Sequence, residues 1–177
     1  MTREMRRFQP PSRNDYLFRQ DDPAVASLTY GRLGKTVDHV GCGLVSIYNV
    51  MRALGREQDF ADILSDAMRL HMPWLFGVFG TKPRSLTRYF GKQGVPVERT
   101  DDCEYWRNAL PACRAAIICT WNDKRRHGIH FYAVVNDNGR LSALNRYCDC
   151  DTATPFSPAD VRADRFITGY LFRQKNI

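Results

Sequence analysis

Between Cys42 and Gly55 the apolar positions Leu44, Ile47, Tyr48, Met51 and Leu54 fall three and four residues apart, which predicts a helix that opens at or beside Cys42 and stops at Gly55. A second helical pattern runs from Phe60 to Leu70, with Asp59 as its cap and Ile63, Leu64, Ala67 and Met68 turned inward. His71 at its end is placed to compensate the helix dipole or face solvent. A third pattern gathers around Leu86, Tyr89 and Phe90, with Thr81 as its cap and Gly94 as its stop. The period then shortens. Ala115 to Trp121 reads as a strand, Ser157-Pro158 opens a short helical turn, and Phe166 to Arg173 is a strand that ties the end of the chain into the sheet. Residues 128–147 form two β-rich runs joined by Asn136-Asp137-Asn138-Gly139, a hairpin signal.

Two stretches lack a clear period. Pro73-Trp74-Leu75-Phe76-Gly77-Val78-Phe79-Gly80 is apolar but punctuated by loop formers, and it is expected to pack in the core, with a wall of a substrate cleft as the alternative. Residues 1–30 are rich in Arg, Pro, Asp and aromatics, and are expected to form an arm packed on the domain or partly mobile, with 31–177 as one domain. The order of elements predicts an α+β fold, helices packed on an antiparallel β-sheet.

The chain has 177 residues, 44% of them hydrophobic and 12% aromatic, which supports a sizeable core and excludes extended disorder. No stretch approaches the roughly 18 apolar residues of a membrane span, and the basic first residues lack an apolar signal-peptide core behind them. A cytoplasmic location is therefore expected, with export by another route open. The net charge is +7, clustered at Arg3 to Arg7, Lys82 to Arg88 and Lys124-Arg125-Arg126. Such a field attracts acidic peptides, nucleic acids or anionic surfaces. The charges are dispersed and no nucleic-acid motif accompanies them, so nucleic acid is not the expected partner. Lys124 to Arg126, beside His127, read either as a polar turn or as a contact for an acidic substrate.

The candidate chemistry begins at Gly41-Cys42-Gly43. A thiol at a helix start lies where free amides and the positive dipole end favour thiolate, and its pKa can fall from roughly 8.5 by one to several units. The same amides can donate to an oxyanion, and the flanking glycines, Gly41 and Gly43, leave room for a substrate backbone. A small buried residue opening a packed helix is the plainer meaning of such a cysteine. The hairpin supplies a second group. His130 lies near the start of its first strand and Asn145 near the end of its second. An Asp137-Asn138 turn pairs them directly; an Asn138-Gly139 turn sets Asn145 opposite Tyr132, still on the histidine's face; a three-residue loop puts it on the other face unless a bulge intervenes. Trp121 is a core aromatic or a shield over this pair.

In the order Cys42, His130, Asn145 the chain resembles the papain-like cysteine peptidases, and within them the compact bacterial branch related to the peptidase domains that process bacteriocin leader peptides. The resemblance spans roughly residues 36–147 and rests on Gly41-Cys42-Gly43 opening a helix that ends Ala53-Leu54-Gly55. It rests also on Lys82-Pro83-Arg84-Ser85-Leu86 through Gly94-Val95-Pro96-Val97 as helix then strand, and on Gly128-Ile129-His130-Phe131-Tyr132-Ala133-Val134-Val135 leading to Asn145. It implies a papain-like fold with Cys42 as nucleophile, His130 as general base and acid, and Asn145 as the group that orients the ring. No cofactor is implied. The implied substrate is a peptide or other amide, with acyl transfer and deamidation as related chemistries. Enzymes of this branch are commonly fused to transporters, so a chain without membrane segments is expected to be a stand-alone relative.

One departure stands out. Papain-like enzymes usually carry an oxyanion-hole glutamine a few residues before the cysteine, where this chain has Thr36-Val37-Asp38-His39-Val40. The oxyanion candidates are therefore the Cys42 amide, Thr36 and His39, and loss of a side-chain donor typically costs about a hundredfold or more in rate. Asp38, if turned inward, would oppose thiolate formation.

Six cysteines in a chain of this length do not make a disulfide scaffold. Cys103, Cys113 and Cys119 are assigned to packing. Cys148 and Cys150 end the hairpin that His127 and His130 begin, so two imidazoles and two thiols can gather around one zinc ion. A non-catalytic basic binding module, on the same scaffold or on such a zinc-clamped hairpin, is the rival to the enzyme.

Overall fold

In the computed structural model, which describes residues 16–122, 128–147 and 150–173, the predicted helix after Gly41 is preceded by a single turn. That turn is α1 (Val37–Val40), and α2 (Cys42–Ala53) starts one residue beyond it. Every residue of α2 but Arg52 is buried, so this helix is apolar around its whole circumference. Ser46 and Asn49 are the polar members, and both are bonded. Ser46 Oγ donates to the Cys42 carbonyl at 2.9 Å, while Asn49 accepts from the Leu17 amide at 2.9 Å and donates to the Leu17 carbonyl at 2.8 Å. The described part of the N-terminal arm is thus fastened to α2, with Leu17, Val25 and Tyr30 in the core.

α3 (Phe60–Arg69) and α4 (Ser85–Lys92) follow, each burying one stripe. Thr81 is not the cap of α4. The helix is entered through the turn Lys82–Ser85, closed by Ser85 N–H to the Lys82 carbonyl at 3.0 Å, and buried Thr81 bonds Tyr30 Oη at 3.0 Å. The stretch 73–80 also departs from expectation. It holds a short 3-10 turn, Trp74–Gly77, and Trp74, Leu75, Phe76, Val78 and Phe79 are 39–61% exposed. Leu75 (φ 44°) and Phe76 (φ 59°) take left-handed backbone, which turns their side chains out of the core.

The strands are β1 (Glu98–Thr100), β2 (Cys113–Trp121), β3 (Ile129–Asp137), β4 (Arg140–Leu144), β5 (Thr154–Pro155) and β6 (Phe166–Arg173), with helix α5 (Cys103–Ala109) between β1 and β2. α5 was not legible as a helix from its mixed sequence. All pairings are antiparallel in the order β1-β6-β2-β3-β4-β5, so the expected final strand lies between β1 and β2. Alternation along β2 sends Ala115, Ile117 and Cys119 into the cluster beneath α2, α3 and α4, and Ala116 and Ile118 into a second cluster with Trp106, Leu110, Phe156 and Val161. The sheet is therefore covered on both faces, and the predicted α+β class holds. Among the described residues no helix is long and apolar enough to cross a membrane.

Candidate active site

The hairpin register brings the second half of the site into line. Asp137 pairs with Arg140, and Asn138 (φ 51°) and Gly139 (φ 89°) both take positive φ, the two-residue turn that matches strand twist. Of the three possible registers this is the one that carries Asn145 past the end of β4 toward the level of Tyr132. Asn145 is buried and takes φ 60°, a conformation asparagine tolerates better than most residues.

Cys42 and His130 meet where the start of α2 packs on β3. Burial opposes ionisation of Cys42, but a hydrogen bond from His130 and its charge, with the backbone amides of Phe131 and Gly43, outweigh it and hold the thiol below its ordinary pKa. Burial likewise opposes charge on His130, but the contact with Cys42 and the Asn145 carbonyl prevail and raise its pKa. The two groups thus titrate as a pair biased toward thiolate and imidazolium. His130 Nε2 donates to the main-chain oxygen of Asn145 at 2.6 Å. A carbonyl only accepts, so Nε2 carries a proton and Nδ1 is the nitrogen left for sulfur. The Asn145 side chain does not hold the ring: its Nδ2 lies 3.5 Å from the Phe131 carbonyl. The orienting contact comes from asparagine's backbone, which a left-handed residue at the strand end aims at the imidazole. The His130 ring also stacks on Tyr132, 6.2 Å between centroids and 28° between planes.

Gly41 and Gly43 are small for a different reason than access. A Cβ on Gly41 would lie 2.4 Å from Val37 Cγ1, and one on Gly43 would lie 2.4 Å from Thr81 Oγ1. The space they free is filled by the protein, which seats the helix start against its neighbours. Thr36 and His39 are engaged with Asp38: the Thr36 hydroxyl donates to Asp38 Oδ1, and His39 Nδ1 lies 2.8 Å from the same oxygen, with His39 66% exposed. These bonds, Thr36 first and then His39, hold the Asp38 carboxyl below its ordinary pKa. The fold also brings Gln20 to this stretch, where its Nε2 donates to the Asp38 carbonyl. No spacing in the sequence points to a glutamine so far upstream.

Nε2 of His130 is taken by the Asn145 carbonyl. Among the described residues no group of three or more His, Cys, Asp or Glu is arranged to hold a metal ion; His127 and Cys148 of the zinc reading, and Lys124 to Arg126, lie outside them. Cys103, Cys113 and Cys119 are each pushed up in pKa by burial, Cys119 most. Lys82 Nζ and Arg88 Nη2 each lie 3.2 Å from carbonyls that end α3, those of His71 and Leu70, so this basic cluster closes a helix terminus.

Two cavities among the described residues differ in their relation to the pair. The larger, about 570 Å³, is lined by Gly31, Arg32, Trp74, Leu75, Phe76 and Lys82, and none of Cys42, His130 or Asn145 reaches its wall. The smaller, about 280 Å³, has His130 in its wall together with half-buried Trp121. Trp121 stands outside both core clusters and lines this cavity.

A cysteine at the head of a buried helix, faced by a histidine on an antiparallel sheet, sits here in the papain-like α+β fold. Among solved structures the chain is similar to the peptidase domain of Streptococcus ComA, a bi-functional ABC transporter involved in a quorum sensing pathway. The TM-score is 0.53 and the identity 17%, covering 75% of this chain and 91% of that one. At that identity the likeness is one of fold. No protein-family model and no curated protein sequence matches the chain.

Proposed function

We propose that the protein is a thiol-dependent hydrolase of the cysteine-peptidase kind, acting on an amide bond of a peptide through an acyl-enzyme. The observation that carries this reading is the Cys42–His130 pair at the start of α2, with the imidazole's second nitrogen held by the Asn145 carbonyl. Cys42 Sγ attacks the carbonyl carbon, and the proton held by His130 passes to the leaving nitrogen as the carbon–nitrogen bond breaks. Water then attacks the thioester with His130 as base, releasing the acid and restoring the thiol. Thr36 and His39 are occupied by Asp38, so the developing oxyanion falls to the Cys42 backbone amide at the helix start. With the Thr36 hydroxyl engaged by Asp38 and the Cys42 amide as the donor, turnover slower by about a hundredfold than that of a fully equipped site is expected.

The test combines two readouts. Iodoacetamide labelling mapped to each cysteine is expected to select Cys42 well below pH 8, and p-nitrophenyl acetate is expected to give a burst of p-nitrophenolate stoichiometric with protein and absent from Cys42→Ser. An inert Cys42 with no burst would sink the reading.

A further inference from the structure

The imidazole and the thiol open on different surroundings. The 280 Å³ cavity is walled by His130 but not by Cys42, and its other walls include Trp121, Tyr132, Arg146, Arg162 and Arg165. Arg146 Nη1 lies 3.3 Å from Asp160 Oδ2, which also faces the cavity, and its guanidinium sits over the rings of Tyr147 and Phe156. Arg162 is engaged by Asp164, Nε at 3.0 Å and Nη2 at 2.7 Å. Arg165 differs. Its Nη1 lies 3.3 Å from the neutral carbonyl of Asn122, and its Nε is buried with no acceptor among the described residues. Among the described residues the wall thus holds three guanidinium groups against one carboxylate, Asp160, with Asp164 outside the wall bonded to Arg162, and Arg165 is the one of the three without an ion pair, in the same wall as the imidazole.

Chemistry fixes what arrives there. His130 hands its proton to the leaving nitrogen, so the amine half of the substrate lies against the imidazole, and a cavity walled by His130 and not by Cys42 is on that side. We infer that this cavity binds a carboxylate carried by the amine half of the substrate, so that the bond cut is followed by an acidic residue or by a terminal residue with its free carboxylate. This rests on the thiol–imidazole reading above. A guanidinium fork matches a planar carboxylate, and an unpaired guanidinium in a wall that also carries Asp160 suits a monoanion better than a doubly charged phosphate. Trp121 and Tyr132 give the stem of that residue an apolar wall. Deacylation retraces the same path, so an amine that bears a carboxylate is also the acceptor this cavity would admit in place of water.

The test is a titration of ¹⁵N-labelled Cys42→Ser protein with three probes: glycylglycine, glycylglycinamide, and N-acetylaspartic acid α-amide. The Arg165 Nε–H and Trp121 indole N–H resonances report binding. Saturable shifts are expected with a carboxylate probe and a response at least about tenfold weaker with glycylglycinamide. Arg165→Gln should abolish the response and Arg165→Lys keep part of it. A response to glycylglycine alone assigns the terminal carboxylate, and one to the aspartate derivative alone assigns the acidic side chain. Equal responses to glycylglycine and its amide, or none to any probe, would overturn the inference. Should Arg165→Gln fail to fold, Asp160→Asn replaces it: removing that carboxylate strengthens carboxylate binding if the cavity is the site, and an unchanged titration rejects it. The p-nitrophenyl acetate burst of the unmodified protein separates the two readings. A carboxylate response without a burst keeps the cavity and rejects the thiol chemistry, and a burst without a carboxylate response does the reverse.

Discussion

Cys42 and His130 are held in place by opposite means. The sulfur is fixed by contact: Gly41 and Gly43 have no room for a Cβ, Thr81 fills the space at Gly43, and Tyr30 fixes Thr81 from behind. The imidazole is fixed by direction: one hydrogen bond to the Asn145 carbonyl, a stack on Tyr132, and a charged cavity beyond it. Close packing is stiff against displacement but indifferent to charge, which suits an atom whose position must not vary. Hydrogen bonds set a tautomer, which suits the proton transfers proposed for this group.

The largest effect should come from the directional half. His130→Ala removes the group that lowers the Cys42 pKa, so alkylation of Cys42 at pH 6 should fall about a hundredfold and its pH dependence should move to that of an ordinary thiol. An unchanged profile would mean that the two halves do not communicate. In the unaltered protein, turnover should rise as pH passes the depressed Cys42 pKa and fall as it passes the raised His130 pKa, giving a bell across the interval between them.

Next comes the contact half. Gly43→Ala forces a Cβ within 2.4 Å of Thr81 Oγ1 and should cost about 1–3 kcal/mol, read as a lowered Tm. Adding Thr81→Gly should recover part of that loss; two additive penalties would show that the contact is not what seats the helix. Tyr30→Phe should cost about 1 kcal/mol by removing the bond to Thr81, with Cys42 labelling little altered. The smallest effect should follow Asn145→Gly, which keeps both the carbonyl and the positive φ. Cys42 reactivity within about threefold of normal is expected, since glycine adopts this conformation freely. A loss as large as that of His130→Ala would return the orienting role to the amide side chain.

How much could be read in advance follows the same division. The start of α2 was legible because Leu44, Ile47, Met51 and Leu54 repeat at helical spacing, and the β3–β4 hairpin because Asn136-Asp137-Asn138-Gly139 signals a turn, though its register was open among three until the Asp137–Arg140 pairing fixed it. The pairing of Cys42 with His130 followed from a family pattern of residue order. The backbone role of Asn145 did not, because a carbonyl is common to every residue and leaves no mark in a sequence. The outward turn of 74–79 was hidden for another reason: an apolar run without period reads as core, and only left-handed backbone at Leu75 and Phe76 reverses it. Arg146, Arg162 and Arg165 escaped notice because separate segments bring them to one cavity.

The position of β6 bears on when the molecule can work at all. This strand is synthesised after every other described strand, yet it is the one that joins β1 to β2. Until it docks, β2 presents an open edge, Trp106 lacks the Gly169 backbone against which it lies, and the layer carrying His130 is unsupported on that side. A growing chain therefore holds its cysteine and histidine long before it holds a sheet to align them, and the contact between the two waits until that strand has emerged.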